Sequence, residues 1–395
     1  MNDPTHCPFA GFDHNLPDHR ATAETQWRGL RAEPGLPRSA AHGGFHILSR
    51  YEDVTAAALD WETFSSAQGI AIPDLHFNER LVPVEYDPPR LRAFRRIVMR
   101  FLTPTAVAQH EAAARDIARS LVDALPRAGR IDFVETFARP FPTGVALTVF
   151  GFPNSDADRL DKLINSAIGG RGDEAARAAS EELEAYLTAF VTNRREHPVG
   201  SDNIIDAIVA SSDDDLLSPA EQLSFVKLLL FGGFTTTTFA LSSFIAWIAE
   251  HPQDRERLVH HPDLMRSAAD EIVRYSSPGT YLGRTTMREV ELAGTSLAAG
   301  SRVVLGYGSA NRDPAQFDRP DELILDRSPN PHLGFGMGPH RCIGVHLAKL
   351  ELTVAAETLL SALPAFRLDP EGEPIHWMSG ETQGMTNLPL ILGDA

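Results

Sequence analysis

The chain holds two cysteines, Cys7 and Cys342, in very different surroundings. Cys7 lies in a polar N-terminal tail and reads as a free thiol without a role. Cys342 lies in the run Phe335-Gly336-Met337-Gly338-Pro339-His340-Arg341-Cys342-Ile343-Gly344, a glycine- and proline-rich loop with a helical pattern directly behind it. A sulfur at a helix start faces unsatisfied backbone N–H groups and the positive end of the helix dipole, which favours the thiolate. No CxxC or paired His/Cys spacing surrounds it, so a tetrahedral zinc site does not fit. A single thiolate suits the axial position of a metal that arrives with four other ligands of its own, which is haem. The competing chemistry is a nucleophilic cysteine with His340 or His346 as its base.

A second unusual constellation sits inside a helix. Ser218-Pro219-Ala220-Glu221 is a capping box with proline at the first helical position, and the apolar period runs on to Glu250, before His251-Pro252. Its middle reads Phe231-Gly232-Gly233-Phe234-Thr235-Thr236-Thr237-Thr238-Phe239. Interior glycines cost about 1 kcal/mol each and threonines roughly half that, so the segment gives up on the order of 4 kcal/mol of helix propensity. Such a conflict inside a well-patterned element marks a functional or strained site. Glycine admits a close approach to the backbone, and threonine hydroxyls bond back to carbonyls one turn earlier, leaving a polar group beside a ligand. Tight helix packing through small residues is the alternative.

The elements that must hold these groups are mostly helical. Amphipathic periodicity covers 106–126, 173–198, 218–252 and 343–364, and each stretch ends at or beside a proline. Alternating or β-branched runs at 43–50, 288–308 and 384–393 read as strands, and the acidic run at 211–219 as a solvated loop. Without repeats or linkers, this predicts one mainly α domain with small β-sheets, an α+β chain, over residues 1–395. A net charge of -17 argues against nucleic acid as a partner. No long uninterrupted apolar run and no leader-like start are present, so no membrane is expected and the location read is cytoplasmic.

With Glu271-Ile272-Val273-Arg274 and Phe317-Asp318-Arg319-Pro320 added between the long helix and the cysteine loop, the order of motifs resembles the cytochrome P450 family over nearly the whole chain. That resemblance implies a single-domain P450 fold with haem b between the long central helix and the cysteine-loop helix. It implies Cys342 as ligand to the iron, with Phe335, Gly336 and Gly344 shaping the loop. His340, Arg284 and Arg95 would pair with the haem propionates, as charge requires in a partly buried site; Leu91 would not. Glu271 and Arg274 with Arg319 would form a buried ion network that supports the loop. Gly233, Thr235 and Thr236 match the oxygen-binding motif, with Thr236 as the hydroxyl donor. Thr235 departs from the pattern, since most members carry a carboxylate there.

The family resemblance further implies insertion of one oxygen atom from O2 into a small apolar, aromatic or natural-product substrate. Phe231, Phe234, Thr280, Tyr281 and Met378 are the candidate substrate contacts, within stretches 66–84, 167–171, 231–234, 279–282 and 378–383. The chain shows no flavin, Rossmann or iron–sulfur signature, so a ferredoxin-type donor and its reductase are expected, docking on Arg92, Arg95, Arg96, Arg341 and Lys349. The departure at Thr235 leaves open nitric-oxide reduction or peroxide-driven oxidation, and a haem sensor without turnover is the third class.

Overall fold

The computed structural model describes residues 8–16, 19–74, 79–169, 174–200, 203–211, 216–363, 365–378 and 380–393. Cys7, residues 212–215 of the acidic loop, and 75–78, 170–171 and 379 of the expected substrate stretches lie outside them. Helices run in the order α1 (His19–Ala32), α2 (Tyr51–Leu59), α3 (Arg90–Met99), α4 (Pro104–Ala108), α5 (Glu111–Ala124), α6 (Pro140–Phe150) and α7 (Ala157–Gly169). They continue as α8 (Glu174–Glu196), α9 (Ile204–Ala210), α10 (Pro219–Glu250), α11 (Pro252–His260), α12 (Met265–Ser276), α13 (Tyr307–Ala310) and α14 (Val345–Ala362).

The expected capping box starts α10. Ser218 Oγ accepts from Glu221 N at 3.2 Å, and Glu221 Oε2 accepts from Ser218 N at 2.9 Å. The helix then runs unbroken for 32 residues through both glycines. Thr236 and Thr238 donate to Gly232 O and Phe234 O, each at 3.0 Å, the back-bonding that the threonine run predicts. By length and apolarity α10 could cross a bilayer, but 67% of its most apolar window is buried within the protein. It is the axis of the core: Phe225, Leu230, Leu241 and Phe244 of α10 share one buried cluster with Phe141 of α6, Ile272 of α12 and Leu352 of α14.

Two breaks depart from the sequence-based spans. The 106–126 pattern divides into α4 and α5, where Thr103 caps a proline-led short helix by accepting from Ala106 N. Helix α14 begins at Val345, with Gly344 as its N-cap, rather than directly after Cys342.

The main sheet orders its strands β1-β2-β8-β5-β3, from β1 (Arg38–Ser39), β2 (Phe45–Leu48), β3 (Phe64–Ser65), β5 (Tyr281–Thr286) and β8 (Arg302–Gly306). β2 and β8 are parallel, with His46 opposite Val303; the other pairs are antiparallel. Strand β5 is not legible as a strand in the sequence, because both its faces are buried and it lacks alternation. β4 (Gly129–Asp132), β12 (Pro389–Leu392) and β9 (Phe366–Leu368) form a second sheet; β6 (Val290–Leu292) pairs with β7 (Thr295–Leu297), and β10 (Ile375–Met378) with β11 (Gln383–Asn387).

Candidate active site

The cysteine loop is shaped by its glycines. Gly336 and Gly338 have φ of +66° and +67°, and a Cβ on Gly338 would lie 2.7 Å from Ala58 O, so only glycine fits that approach. Cys342 N donates to Phe335 O at 2.7 Å, folding the loop back on itself. Phe335 packs on the core, and the Lys349 ammonium lies 5.8 Å from its ring centroid. Lys349 also pairs with Asp270 of α12 at 2.6 Å, and His332 reaches the same carboxylate at 3.5 Å. One acid thus ties α12, the loop and α14 together.

The Cys342 side chain is exposed, although the surrounding protein is as dense as at any buried group. The two observations agree if the sulfur faces an internal void. Burial raises the thiol, and it outweighs the Gly344 N–H and the charges of Arg95 and Arg341 that lower it. This corrects the expectation that the helix start alone makes a thiolate; a coordinated metal would do so.

Cations gather at the same place. Arg284 is buried on β5, and its Nη1 donates to Gly283 O at 2.6 Å. Burial lowers Arg95, whose one opposing influence is Cys342 rather than a carboxylate. Both arginines act on His340, which burial also lowers. His340 Nε2 lies 3.4 Å from Ser66 Oγ and 3.9 Å from Asp87 Oδ1, while its buried Nδ1 has no partner. Burial would raise Asp87, yet His340, Ser65 and Ser66 hold its carboxyl down at about 2. A bare sulfur, two inward guanidiniums and an unpaired imidazole nitrogen fit a planar metal group that brings its own carboxylates.

On α10, Gly232 is exposed and Leu228 and Thr236 are half-buried, at one helical face. Gly232 meets nothing within 4 Å of an added Cβ, so it leaves room beside the backbone. Gly233 does not: its Cβ would meet Phe150 at 3.2 Å and Ala146 at 3.3 Å, so this glycine serves helix packing against α6 rather than the oxygen site. Phe231 is half-buried against the core and Phe234 is buried. Thr237 donates to Glu351 of α14 at 3.1 Å, joining the two helices.

Thr280 and Tyr281 are turned into the core. Thr280 is fully buried and its hydroxyl donates to Ser277 O at 2.9 Å. Tyr281 lies in an aromatic cluster with Phe12 and Trp27; its hydroxyl accepts from Trp27 Nε1 and bonds His19 Nε2 at 3.0 Å. Met378 ends β10 opposite Gln383.

The ion network forms with a different arginine. Glu271 and Arg274 are fully buried and paired bidentately, at 2.8 Å for each contact. Arg274 also donates to Asn311 O, Pro320 O and Glu322 O. The third cation is Arg327, 7% exposed, with Nε at 2.9 Å from Glu271. Arg319 is 56% exposed and pairs with Asp318 and Glu322. The family resemblance of Phe317-Asp318-Arg319-Pro320 pointed to Arg319; nothing in the local pattern marks Arg327, whose side chain reaches Glu271.

A family model described as Cytochrome P450 matches residues 40–390. The chain is 33% identical to a mycinamicin IV hydroxylase/epoxidase of Micromonospora griseorubida over 355 residues, covering 87% of this chain and 89% of that protein. It is 35% identical to a methyl-branched lipid omega-hydroxylase of Mycobacterium bovis over 373 residues, covering 90% and 86%. Among solved structures, a P450 for C–S bond formation in chuangxinmycin biosynthesis superposes with TM-score 0.85 at 30% identity, covering 93% of each chain. A myxobacterial P450 in complex with myristic acid gives TM-score 0.87 at 29% identity, covering 96% and 99%.

Proposed function

The chain belongs to the cytochrome P450 family, and we propose that residues 1–395 form one haem-thiolate monooxygenase domain that oxygenates a small apolar, aromatic or natural-product substrate. The family implies a thiolate-ligated haem iron. The observation that carries the assignment to this chain's residues is the convergence of bare Cys342 with Arg95, Arg284 and the unpaired Nδ1 of His340.

When bound, haem supplies the activation of O2, with the thiolate donating electron density. The chain's own residues do the rest. Cys342 would hold the metal, and its loop is fixed by Gly338, Phe335 and the Asp270 contacts. Arg95, Arg284 and His340 would neutralise the haem carboxylates, with Asp87 and Ser66 orienting the imidazole. On α10, Gly232 leaves space beside the backbone and Thr236 offers a hydroxyl bonded, among the described residues, to Gly232 O. Phe231, half-buried on α10, would supply an apolar contact that orients the substrate.

Electrons come from a separate ferredoxin-type donor and its reductase. Arg92, Arg96 and Arg341 are exposed, while Arg95 turns inward and Lys349 is paired with Asp270, which narrows the expected basic patch to three arginines. A patch of this sign on a chain of net charge -17 suits an acidic donor.

The test is spectroscopic. The reduced, CO-bound protein shows the red-shifted Soret band of thiolate-ligated haem, and Cys342→Ser abolishes it. A band that survives the substitution refutes the ligand assignment. Turnover with peroxide or NADH alone, without a ferredoxin, would instead support a different cycle for which the missing acid at Thr235 is the motive.

A further inference from the structure

Beside α10 lies a cavity of about 80 Å³, lined in part by Phe234 and Thr235 and by none of Cys342, His340, Arg284 and Arg95. Its polar lining is Arg139, Asp161, Asn165, Thr235, Trp377 and Thr386, with Thr238, whose hydroxyl is already bonded to Phe234 O. Among the described residues, two of these donors have no acceptor: the Thr235 hydroxyl, on a side chain more than nine-tenths buried, and the Trp377 indole N–H. An unsatisfied buried donor costs on the order of 1–3 kcal/mol, so a pair facing one void calls for a partner inside it. At ~15 Å³ of such volume per molecule the space holds roughly five waters.

The far side of the cavity supplies an acid. Asp161 of α7 accepts from Arg139 Nε at 3.0 Å, from Asn165 Nδ2 at 3.0 Å and from Thr143 Oγ1 at 3.4 Å. Glu135 pairs with the same Arg139, and Asp158 is the other charge acting on Asp161. Exposed Thr386 and partly exposed Arg139 put one end of the cavity at the surface, while buried Thr235 closes the other. Thr235 is next in the chain to Thr236, the hydroxyl on the open face of α10.

We propose that this cavity is a hydrated proton conduit in which Asp161 of α7, acting through ordered water on Thr235, supplies the acid that position 235 itself lacks. The inference rests on the monooxygenase reading. A proton leaves the Asp161 carboxyl for the adjacent water, that water passes one of its own to Thr235 Oγ1, and the hydroxyl releases its original proton toward the Thr236 side. Solvent entering beside Thr386 returns a proton to Asp161, whose carboxylate is held meanwhile by Arg139. No electrons move. Burial raises the Asp161 carboxyl, against Arg139, Asn165 and Thr143, in the direction a proton donor requires.

A crystal structure of the haem-loaded protein, at a resolution that shows water, gives a readout independent of turnover. Ordered waters linking Thr235 Oγ1 to Asp161 or Asn165 are expected; a dry cavity, or one closed by rotation of Trp377, overturns the proposal. In reconstitution with a surrogate ferredoxin and reductase, Asp161→Asn and the shape-preserving Thr235→Val should each slow NADH consumption by about 10²-fold and enlarge its solvent deuterium isotope effect. Thr235→Asp should restore the rate in the Asp161→Asn background. Waters in place but unchanged rates in both variants overturn the role of Asp161, and Thr235→Val decides the matter should Asp161→Asn fail to fold. Failure of the monooxygenase reading shows separately, as a wild-type protein without the thiolate-type CO band.

Discussion

Replacing Arg327 by Met should destabilise the protein far more than replacing Arg319 by Gln. Arg327 Nε lies 2.9 and 3.1 Å from the two oxygens of Glu271, and its remaining nitrogens donate to Asp318 O, Arg319 O and Glu322 O at 2.6, 3.1 and 3.2 Å. Removing one member of a buried ion cluster costs about 3–5 kcal/mol, because the charge left behind stays desolvated. Glu271 keeps Arg274, Ile324 N and Asn330, which reduces that loss. Glu322 O keeps Arg274 and Arg319 O keeps Glu322 N, so among the described residues only Asp318 O loses its donor, which adds up to ~1 kcal/mol and less where water reaches it. A net cost of about 3 kcal/mol follows. Arg319 is solvent-exposed in both its pairs, so its loss should stay within ~0.5 kcal/mol. Urea unfolding followed by circular dichroism measures both: with a slope near ~3 kcal/mol/M, the Arg327 variant's midpoint falls by about 1 M. Equal costs for the two variants, or an Arg327 cost below ~1 kcal/mol, would refute the assignment of the third cation.

The two central glycines should respond in opposite directions. Gly233→Ala sets a Cβ 3.2 Å from Phe150 and 3.3 Å from Ala146, a packing cost of about 1–3 kcal/mol against a helix-propensity gain of about 1 kcal/mol, for a net loss of up to ~2 kcal/mol, whereas Gly232→Ala should stabilise the apoprotein by up to ~1 kcal/mol and weaken haem or ligand retention, read by melting and Soret absorbance. Asp87 has its carboxyl depressed to about 2 from 3.8, so its contribution of about 2 kcal/mol is complete above pH 3.8 and is lost as pH falls through 2. The stability difference between wild type and Asp87→Asn should therefore shrink over that window in acid titration. Glu351 is fully buried and burial, opposed only by Thr237, raises its carboxyl well above 4.5. Its folded form stays neutral where the unfolded form ionises, so the wild type should lose stability relative to Glu351→Gln as pH rises above 4.5, and a pH-independent difference would contradict this.

Features encoded by neighbouring residues were legible in the sequence. The capping box at Ser218, the threonine back-bonds of α10 and the glycine loop around Cys342 depend on spacings of a few residues, and each stands where the pattern puts it. What escaped depends on contacts between distant segments. Tyr281 looks like a pocket residue until His19 and Trp27 take its hydroxyl. Gly233 looks like an oxygen-site glycine until Phe150 of α6 occupies the space beside it. Arg327 and Asp161 lie in no motif, and only the return of the chain brings them to Glu271 and to the Thr235 cavity. The alternation that reveals half-buried strands is missing from β5, which is covered on both sides.

The parallel pairing of β2 with β8 sets a schedule for biosynthesis. His46 emerges from the ribosome more than 250 residues before its partner Val303. At ~10 residues per second, β2 waits roughly half a minute with its hydrogen-bonding edge toward β8 bare. During that interval the nascent N-terminal segment is a template for any other extended chain. Slowing translation between the two strands should lower soluble yield without altering the finished protein, so the codons of the helical middle bear on the fate of a sheet they do not encode.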